Sequence, residues 1–146
     1  MTGESDLRRL QQHMAPQLHP QTFVYCNFAD FQLPQGLSPI CTFREAEGLT
    51  AIVERAQAER ANVPHVFEAR LITLTVHSSL DAIGFLATVT TALAKAGIPC
   101  NAVAAFHHDH LFVPTARADD AMSLLAALAS RAEMESATQV AYLGRS

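Results

Sequence analysis

The sequence is poor in positive charge. Lysine occurs once, as Lys95, and the formal net charge is -4 at pH 7. The arginines are scattered along the chain and do not gather on one predicted face. Because a protein that binds nucleic acid needs a basic surface to meet the phosphate backbone, this composition predicts no nucleic-acid partner.

The chain also lacks paired cysteines and long apolar runs. Cys26, Cys41 and Cys100 lie far apart, are odd in number and form no CxxC motif, a pattern typical of buried, reduced thiols. The longest apolar segment, residues 82–94, is shorter than the ~20 residues that a membrane helix needs. The N-terminus has neither the charged start nor the apolar run of a signal peptide. We therefore expect a cytoplasmic protein with no membrane partner.

The bulk composition is that of an ordinary globular protein. The chain has 146 residues, of which 49% are hydrophobic and 16% charged. This length can bury one sizeable core or two small ones.

The second half of the chain has the clearest pattern of secondary structure. Apolar and polar residues alternate from Phe67 to His77, which is typical of a strand. An amphipathic helix is predicted from about Leu80, with Gly97 just past its end. A strand hairpin and a second helix follow, and residues 138–143 are predicted to form a last strand. This order describes a complete βαββαβ unit.

The first half resembles a shortened version of the same order. A short helix is predicted over residues 6–14 and a strand over 22–28, and the connector at 31–39 carries two prolines and a glycine, which leave no room for a full helix. A hairpin over 40–53 and a helix over 54–61 come next. We interpret the chain as two halves, residues 1–65 and 66–146, related by an internal duplication in which the first copy is truncated.

Four segments resemble one known family. They are Leu71–Ser79, Gly97–Asn101, Asp109–Pro114 and, in the first half, Thr42–Thr50. Together they are similar to ACT domains as they occur in small stand-alone tandem ACT proteins. The resemblance implies an α+β fold, a ferredoxin-like βαββαβ ACT sandwich preceded by a truncated ACT-like half, with helices covering one face of an antiparallel sheet.

The resemblance also implies a function without catalysis. ACT domains are typically ligand-sensing modules that bind a small amino acid at an inter-domain or dimer interface and so regulate assembly or a protein partner. We therefore expect a homodimer with an amino acid ligand, no cofactor and no enzymatic activity. The Asp-x-x-Gly pattern of many ACT domains is present as Asp81 to Gly84.

The predicted ligand site lies where the first strand of the second half meets the following helix. Unpaired amides at a helix N-terminus suit a carboxylate, and glycine permits close approach of a ligand. Plain helix capping by the serines, helix packing at the glycine and solvated charges at the hairpin turn are the simpler alternatives. The predicted ligand-binding residues are Ser78, Ser79, Leu80, Asp81, Ile83 and Gly84, with Arg44, Glu45 and Glu47 from the first half.

Two other functions stay open at this point. His107, His108, Asp109 and His110 carry metal-ligand side chains, so a small metal-dependent enzyme that also uses His77 is an alternative. On a strand only alternate residues share a face, which leaves too few ligands on one side for a closed site. A purely structural dimer without a ligand is the second alternative. No motif supports a catalytic cysteine.

Overall fold

The computed structural model describes residues 3–143, and Leu143 without its side chain. The strands of the described part form a single antiparallel sheet, in which they lie side by side in the order β2-β3-β1-β4-β6-β5. The strands are β1 (Pro16–Phe28), β2 (Cys41–Arg44), β3 (Leu49–Glu54), β4 (Val66–Leu74), β5 (Asn101–Ala104) and β6 (Asp109–Pro114).

The strand order shows a two-fold relation between the halves. Strands β1, β3 and β2 run outward from the centre on one side, and β4, β6 and β5 repeat that order on the other. The two first strands pair with each other, with Leu18 opposite Ile72 and Phe23 opposite Ala69. Because β1 and β4 are antiparallel, the corresponding loops of the two halves lie at opposite ends of the sheet.

The four α-helices of residues 3–143 pack on the same face of the sheet. They are α1 (Leu7–Gln12), α2 (Arg55–Arg60), α3 (Phe85–Lys95) and α4 (Ala118–Leu143). The larger core lies under α1, α3 and α4 and contains Ile72, Leu93 and Leu125, and a smaller one lies under α2 and contains Val24 and Val53. None of the helices within residues 3–143 is both long and apolar enough to cross a bilayer.

The other face of the sheet carries an aromatic cluster. Phe23 and Tyr25 on β1 each meet Phe112 on β6 edge to face, with ring centroids 5.9 and 5.8 Å apart. They close over Ala69, the small residue on the strand between them, which is fully buried. Burial raises the pKa of the Tyr25 phenol to about 12, with smaller contributions from Cys41 and Cys100.

A polar chain interrupts this apolar face. The Thr73 hydroxyl lies 2.9 Å from Nε2 of His19 and 3.0 Å from Nδ1 of His110, so that three neighbouring strands are joined through one hydroxyl group. Burial lowers the pKa of His110, and the neighbouring His108 and His19 lower it further. The neutral imidazole is therefore favoured at His110.

The predicted fold class is confirmed, and so is the loop that replaces a helix in the first half. Residues 29–40 connect β1 to β2 without a regular element. Leu37 is buried in this connector, and the Ser38 amide donates 2.8 Å to the Gln57 side chain on α2.

Two predictions about the second half are wrong. Residues 138–143 are not a strand, because α4 continues without a break from Ala118 to Leu143. Its distal half is held by α1: the Gln12 side chain donates 3.1 Å to the Ala132 carbonyl, and Arg8 contacts Gln139. Helix α3 begins at Phe85, five residues after the predicted start at Leu80, since residues 78–84 form an irregular loop that ends at Gly84.

Candidate functional site

The loop between β4 and α3 is fastened by the N-terminal segment. The Glu4 amide donates a hydrogen bond of 2.8 Å to the His77 carbonyl, and the Ser79 amide donates one of 2.8 Å to the Glu4 carbonyl. Gly3 lies so close to the loop that a Cβ there would meet the Ser79 nitrogen at 2.6 Å. The beginning of the loop is thus held as if it were a short added strand.

The end of the loop exposes the N-terminus of α3. Gly84 occupies the N-cap with a φ of 87°, a left-handed conformation that favours glycine, and no side chain caps the helix. The first helical hydrogen bond is donated by Thr88 to the Gly84 carbonyl at 2.9 Å. The amides of Phe85, Leu86 and Ala87 therefore precede the helical hydrogen bonds and point outward from the helix end.

A small pocket lies between this helix end and the sheet. Its volume is about 160 Å³, and it is lined by the loop, by the first turn of α3, by Ala104 at the end of β5 and by Asp109 at the start of β6. Pockets for drug-sized ligands are roughly 300–1,000 Å³, so this one suits a smaller molecule.

Asp109 lies at the sheet side of the pocket and is 6% exposed. The Ser78 hydroxyl, equally buried, donates 3.1 Å to its Oδ2 atom. Burial raises the pKa of the Asp109 carboxyl, while the Ser78 hydrogen bond and the nearby His110 and His108 act to lower it. The pocket therefore combines a buried carboxylate with free backbone amides.

The outer part of the loop carries exposed apolar side chains. Ile83 is 87% exposed and Leu80 57%, and Phe106 on the facing β5–β6 turn is 68% exposed. Asp81 is exposed as well, and its amide donates a hydrogen bond of 3.2 Å to the Ser79 hydroxyl oxygen. Leu80 also lines the pocket, whereas Ile83 and Phe106 lie outside its lining.

The remaining predicted site residues lie elsewhere in the molecule. Arg44 ends β2, and Glu45 and Glu47 lie in the following β2–β3 turn, at the far edge of the sheet and at its opposite end. Arg44 stacks over the ring of Phe31 with its guanidinium carbon 4.7 Å from the ring centre, and Glu45 accepts a hydrogen bond from Thr50. Within one chain the structure does not bring them near the β4–α3 loop.

The histidines lie close together without forming a metal centre. The rings of His77 and His107 are 5.0 Å apart between centroids, and Nδ1 of His108 lies 3.2 Å from the Val76 carbonyl. His110 points to the other face of the sheet, toward Thr73. Among residues 3–143, no group of three or more histidine, cysteine, aspartate or glutamate side chains is arranged to hold a metal ion.

Cys26 and Cys100 lack the low pKa of a nucleophilic thiol. Burial raises the pKa of the Cys100 thiol to about 11, which keeps it protonated near neutral pH. Burial also raises the pKa of Cys26.

Asp109 is a charged pocket residue that the sequence does not assign to the ligand site. The sequence places it in an ACT-like segment and in a histidine-rich hairpin that could bind a metal. The alternation of β6 places it on the same face as Leu111 and Val113, which both belong to the helix-side core. A carboxylate at the end of an apolar strand face is the signal that would have revealed it.

Comparison with known proteins identifies the family. Two models described as ACT domain match in tandem, over residues 2–70 and 66–127. A Vibrio cholerae protein of unknown function, described as a possible transport protein, is 39% identical, with a TM-score of 0.74 over 84% of this chain and 95% of that one. No curated protein matches the sequence.

More distant structures share the fold alone. An Agobacterium tumefaciens protein is 17% identical, with a TM-score of 0.66 over 78% of this chain and 87% of its own. The ligand-free regulatory subunit of Thermus thermophilus aspartate kinase is 9% identical, with a TM-score of 0.60 over 77% and 95% of the two chains.

The tandem matches place the chain in a family of regulatory modules. ACT domains are regulatory, non-catalytic modules. The chain belongs to the ACT-domain family, with two ACT-type halves in tandem.

Proposed function

We propose that the protein is a non-catalytic sensor that binds a small amino acid in the pocket beside the β4–α3 loop. The observation that carries this proposal is the open N-terminus of α3 at the pocket wall, where three backbone amides and the positive end of the helix are available to a carboxylate. Membership of the ACT family supports the same class of ligand.

The size of the pocket limits the ligand. A volume of about 160 Å³ admits a small amino acid and leaves little room for an aromatic or long basic side chain. Ser78, Ser79, Gly84 and the loop residues between them are the proposed contacts.

We further propose that a second copy of the chain completes the site. Leu80, Ile83 and Phe106 are large apolar side chains exposed on the β4–α3 loop and the β5–β6 turn, and their burial against a partner surface would be favourable. Arg44, Glu45 and Glu47 lie at the opposite end of the sheet, so they reach a ligand only if they come from another subunit. Regulation would then follow from different affinities of the ligand for two assembly states. A cytoplasmic location stays a prediction.

A thermal-shift screen against the common amino acids and a few divalent metals, with molecular mass measured in parallel, tests the proposal. A selective and concentration-dependent rise in melting temperature with one small amino acid is expected, because a ligand of the native state adds RT ln(1 + [L]/Kd) to the free energy of unfolding. A rise with metal alone would favour the metal-dependent alternative. A stable dimer with no response at millimolar concentrations would favour a structural role.

A further inference from the structure

We propose that Asp109, which is hydrogen-bonded to Ser78, binds the ammonium group of the ligand. The pocket would then select α-amino acids over acids of the same size that lack the amine. This inference rests on the proposed amino acid site and assigns the specificity within it.

Asp109 has one carboxylate oxygen available to a ligand. Within residues 3–143, the hydrogen bond to its side chain is the one that Ser78 donates to Oδ2. No fully buried side-chain oxygen or nitrogen of the described residues is left without a partner. Oδ1 is therefore not fully buried. Since Asp109 lines the pocket, we assign the exposed part of Oδ1 to the pocket wall.

The surroundings of Asp109 are unfavourable for a charged carboxylate, which suggests a functional reason for its presence. It follows the same strand face as Leu111 and Val113 and lies opposite Leu74, which is fully buried. A carboxylate with a single hydrogen bond in such surroundings is costly to bury, whereas a cation at Oδ1 would compensate its charge. Neither nearby histidine donates to this carboxylate among the described contacts: Nδ1 of His108 lies 3.2 Å from the Val76 carbonyl, and Nδ1 of His110 lies 3.0 Å from the Thr73 hydroxyl.

The two polar parts of the pocket match the two charges of an amino acid. The free amides of α3 are hydrogen-bond donors and therefore suit the carboxylate of the ligand. Oδ1 of Asp109 is an acceptor and suits the ammonium group. Both lie on the wall of one pocket of about 160 Å³, so a ligand with only a few heavy atoms spans them. A hydroxy acid of the same shape would meet the amides but leave the Asp109 carboxylate without a counter-charge.

Calorimetry with three matched probes tests this assignment: L-alanine, L-lactate, which replaces the amine by a hydroxyl, and ethylamine, which lacks the carboxylate. We expect L-alanine to bind the wild-type protein at least about tenfold more tightly than either analogue, since a hydrogen bond to a charged group is worth about 1.5–3 kcal/mol. In Asp109→Asn, L-alanine binding should fall by at least about tenfold while lactate binding is kept.

Asp119→Asn is the matched control. Asp119 is exposed in the first turn of α4, so the control makes the same change in charge away from the pocket. It should bind L-alanine as the wild type does. Circular dichroism of each variant establishes that it is folded, and Ser78→Ala should weaken L-alanine binding in the same direction as Asp109→Asn.

The outcomes separate this inference from the proposed function. If L-alanine and L-lactate bind the wild type equally, or if Asp109→Asn binds L-alanine unchanged, the amino acid site stands and the role of Asp109 is refuted. If no amino acid binds the folded wild-type protein at millimolar concentrations, the proposed function fails and this inference fails with it.

Discussion

Asp109 links the pocket to the pH dependence of stability. Its carboxyl pKa is raised in the folded protein from the ordinary value of 3.8, chiefly by burial. A group whose pKa is raised on folding binds its proton more tightly in the native state, so its stabilising contribution is present below the unfolded pKa and is lost as the pH rises through the folded pKa. At neutral pH the ionised Asp109 thus lowers the stability of the ligand-free protein.

We expect ligand-free Asp109→Asn to be more stable than the wild type at pH 7, and this difference to vanish below pH 3.8. Asparagine keeps the acceptor for Ser78 and removes the buried charge. Urea unfolding at several pH values measures the effect, with Asp119→Asn as the control. If Asp109→Asn is less stable than the wild type at pH 7, the contacts of the ionised Asp109 stabilise the fold by more than the burial of its charge costs.

Gly3 permits the close contact that fastens the site loop. An alanine Cβ there would lie 2.6 Å from the Ser79 nitrogen and 2.8 Å from the Ser78 carbonyl carbon, both backbone atoms that cannot turn away. We expect Gly3→Ala to lower stability by about 1–3 kcal/mol and to speed hydrogen exchange at the Ser79 amide, which donates to Glu4.

Gly36→Ala is the matched control for that change. Gly36 has a φ of 89°, which is unfavourable for alanine, but nothing lies within 4 Å of the added Cβ. It should cost about 1 kcal/mol through backbone strain and leave exchange at Ser79 unchanged. Equal exchange rates in the two variants would count against the fastening of the loop by residues 3–5.

At the scale of elements, the two parts of α4 differ in their contribution to the core. Leu125 and Ala132 are buried, whereas Met134, Val140 and Tyr142 are largely exposed. The distal part is held mainly by polar contacts with α1.

We therefore expect removal of residues 133–146 to lower stability by about 1 kcal/mol or less, and Leu125→Ala to lower it by about 2–5 kcal/mol. Chemical denaturation of both variants measures the contrast. A truncated protein that is less stable than Leu125→Ala would show that the distal helix is part of the folding unit.

The sequence predicts elements well where a local pattern and tertiary packing agree. The alternation in β4 and the glycine at the end of α3 identify both elements, and Gly97 does adopt the expected left-handed conformation. Residues 138–143 have strand-forming side chains, Val140 and Tyr142 among them, but contacts between α1 and α4 keep them helical. The predicted start of α3 at Leu80 is wrong because Ser79, which resembles a capping residue, belongs to the loop, where its hydroxyl oxygen accepts a hydrogen bond from the Asp81 amide.

The site could be predicted only in part, because its groups come together through the sheet. Ser78 belongs to the predicted loop, whereas Asp109 is 31 residues further along the chain and meets Ser78 only because β4 and β6 pair. The placement of Arg44, Glu45 and Glu47 depends on the two-fold relation of the halves, which puts corresponding turns at opposite ends.

At the scale of the whole molecule, the two halves differ at the ligand site: within residues 3–143 the helix N-terminus that follows the first strand of a half is found in the second half only. In the first half residues 29–40 form a connector in the corresponding place. The β2–β3 turn of the first half corresponds to the β5–β6 turn of the second. Its Gly48 lies so close to the end of β1 that a Cβ would be 2.6 Å from the Phe28 carbonyl oxygen.

We therefore expect one amino acid to bind per chain. Calorimetric titration of the wild-type protein with the amino acid identified in the thermal-shift screen gives the molar ratio. A ratio of two per chain would mean that the first half also forms a site, despite its lack of a helix in that position.

The pairing of β1 with β4 joins the two halves through their longest strands. A cut between residues 65 and 66 would leave β4 with its hydrogen-bonding groups bare beside a run of apolar side chains that includes Leu71, Ile72 and Leu74. Such an edge is a template for intermolecular pairing, and an excised half would tend to aggregate. Fusing one half of this chain to an unrelated enzyme would therefore not transfer a folded module. The pair of halves is the smallest unit that can be transferred.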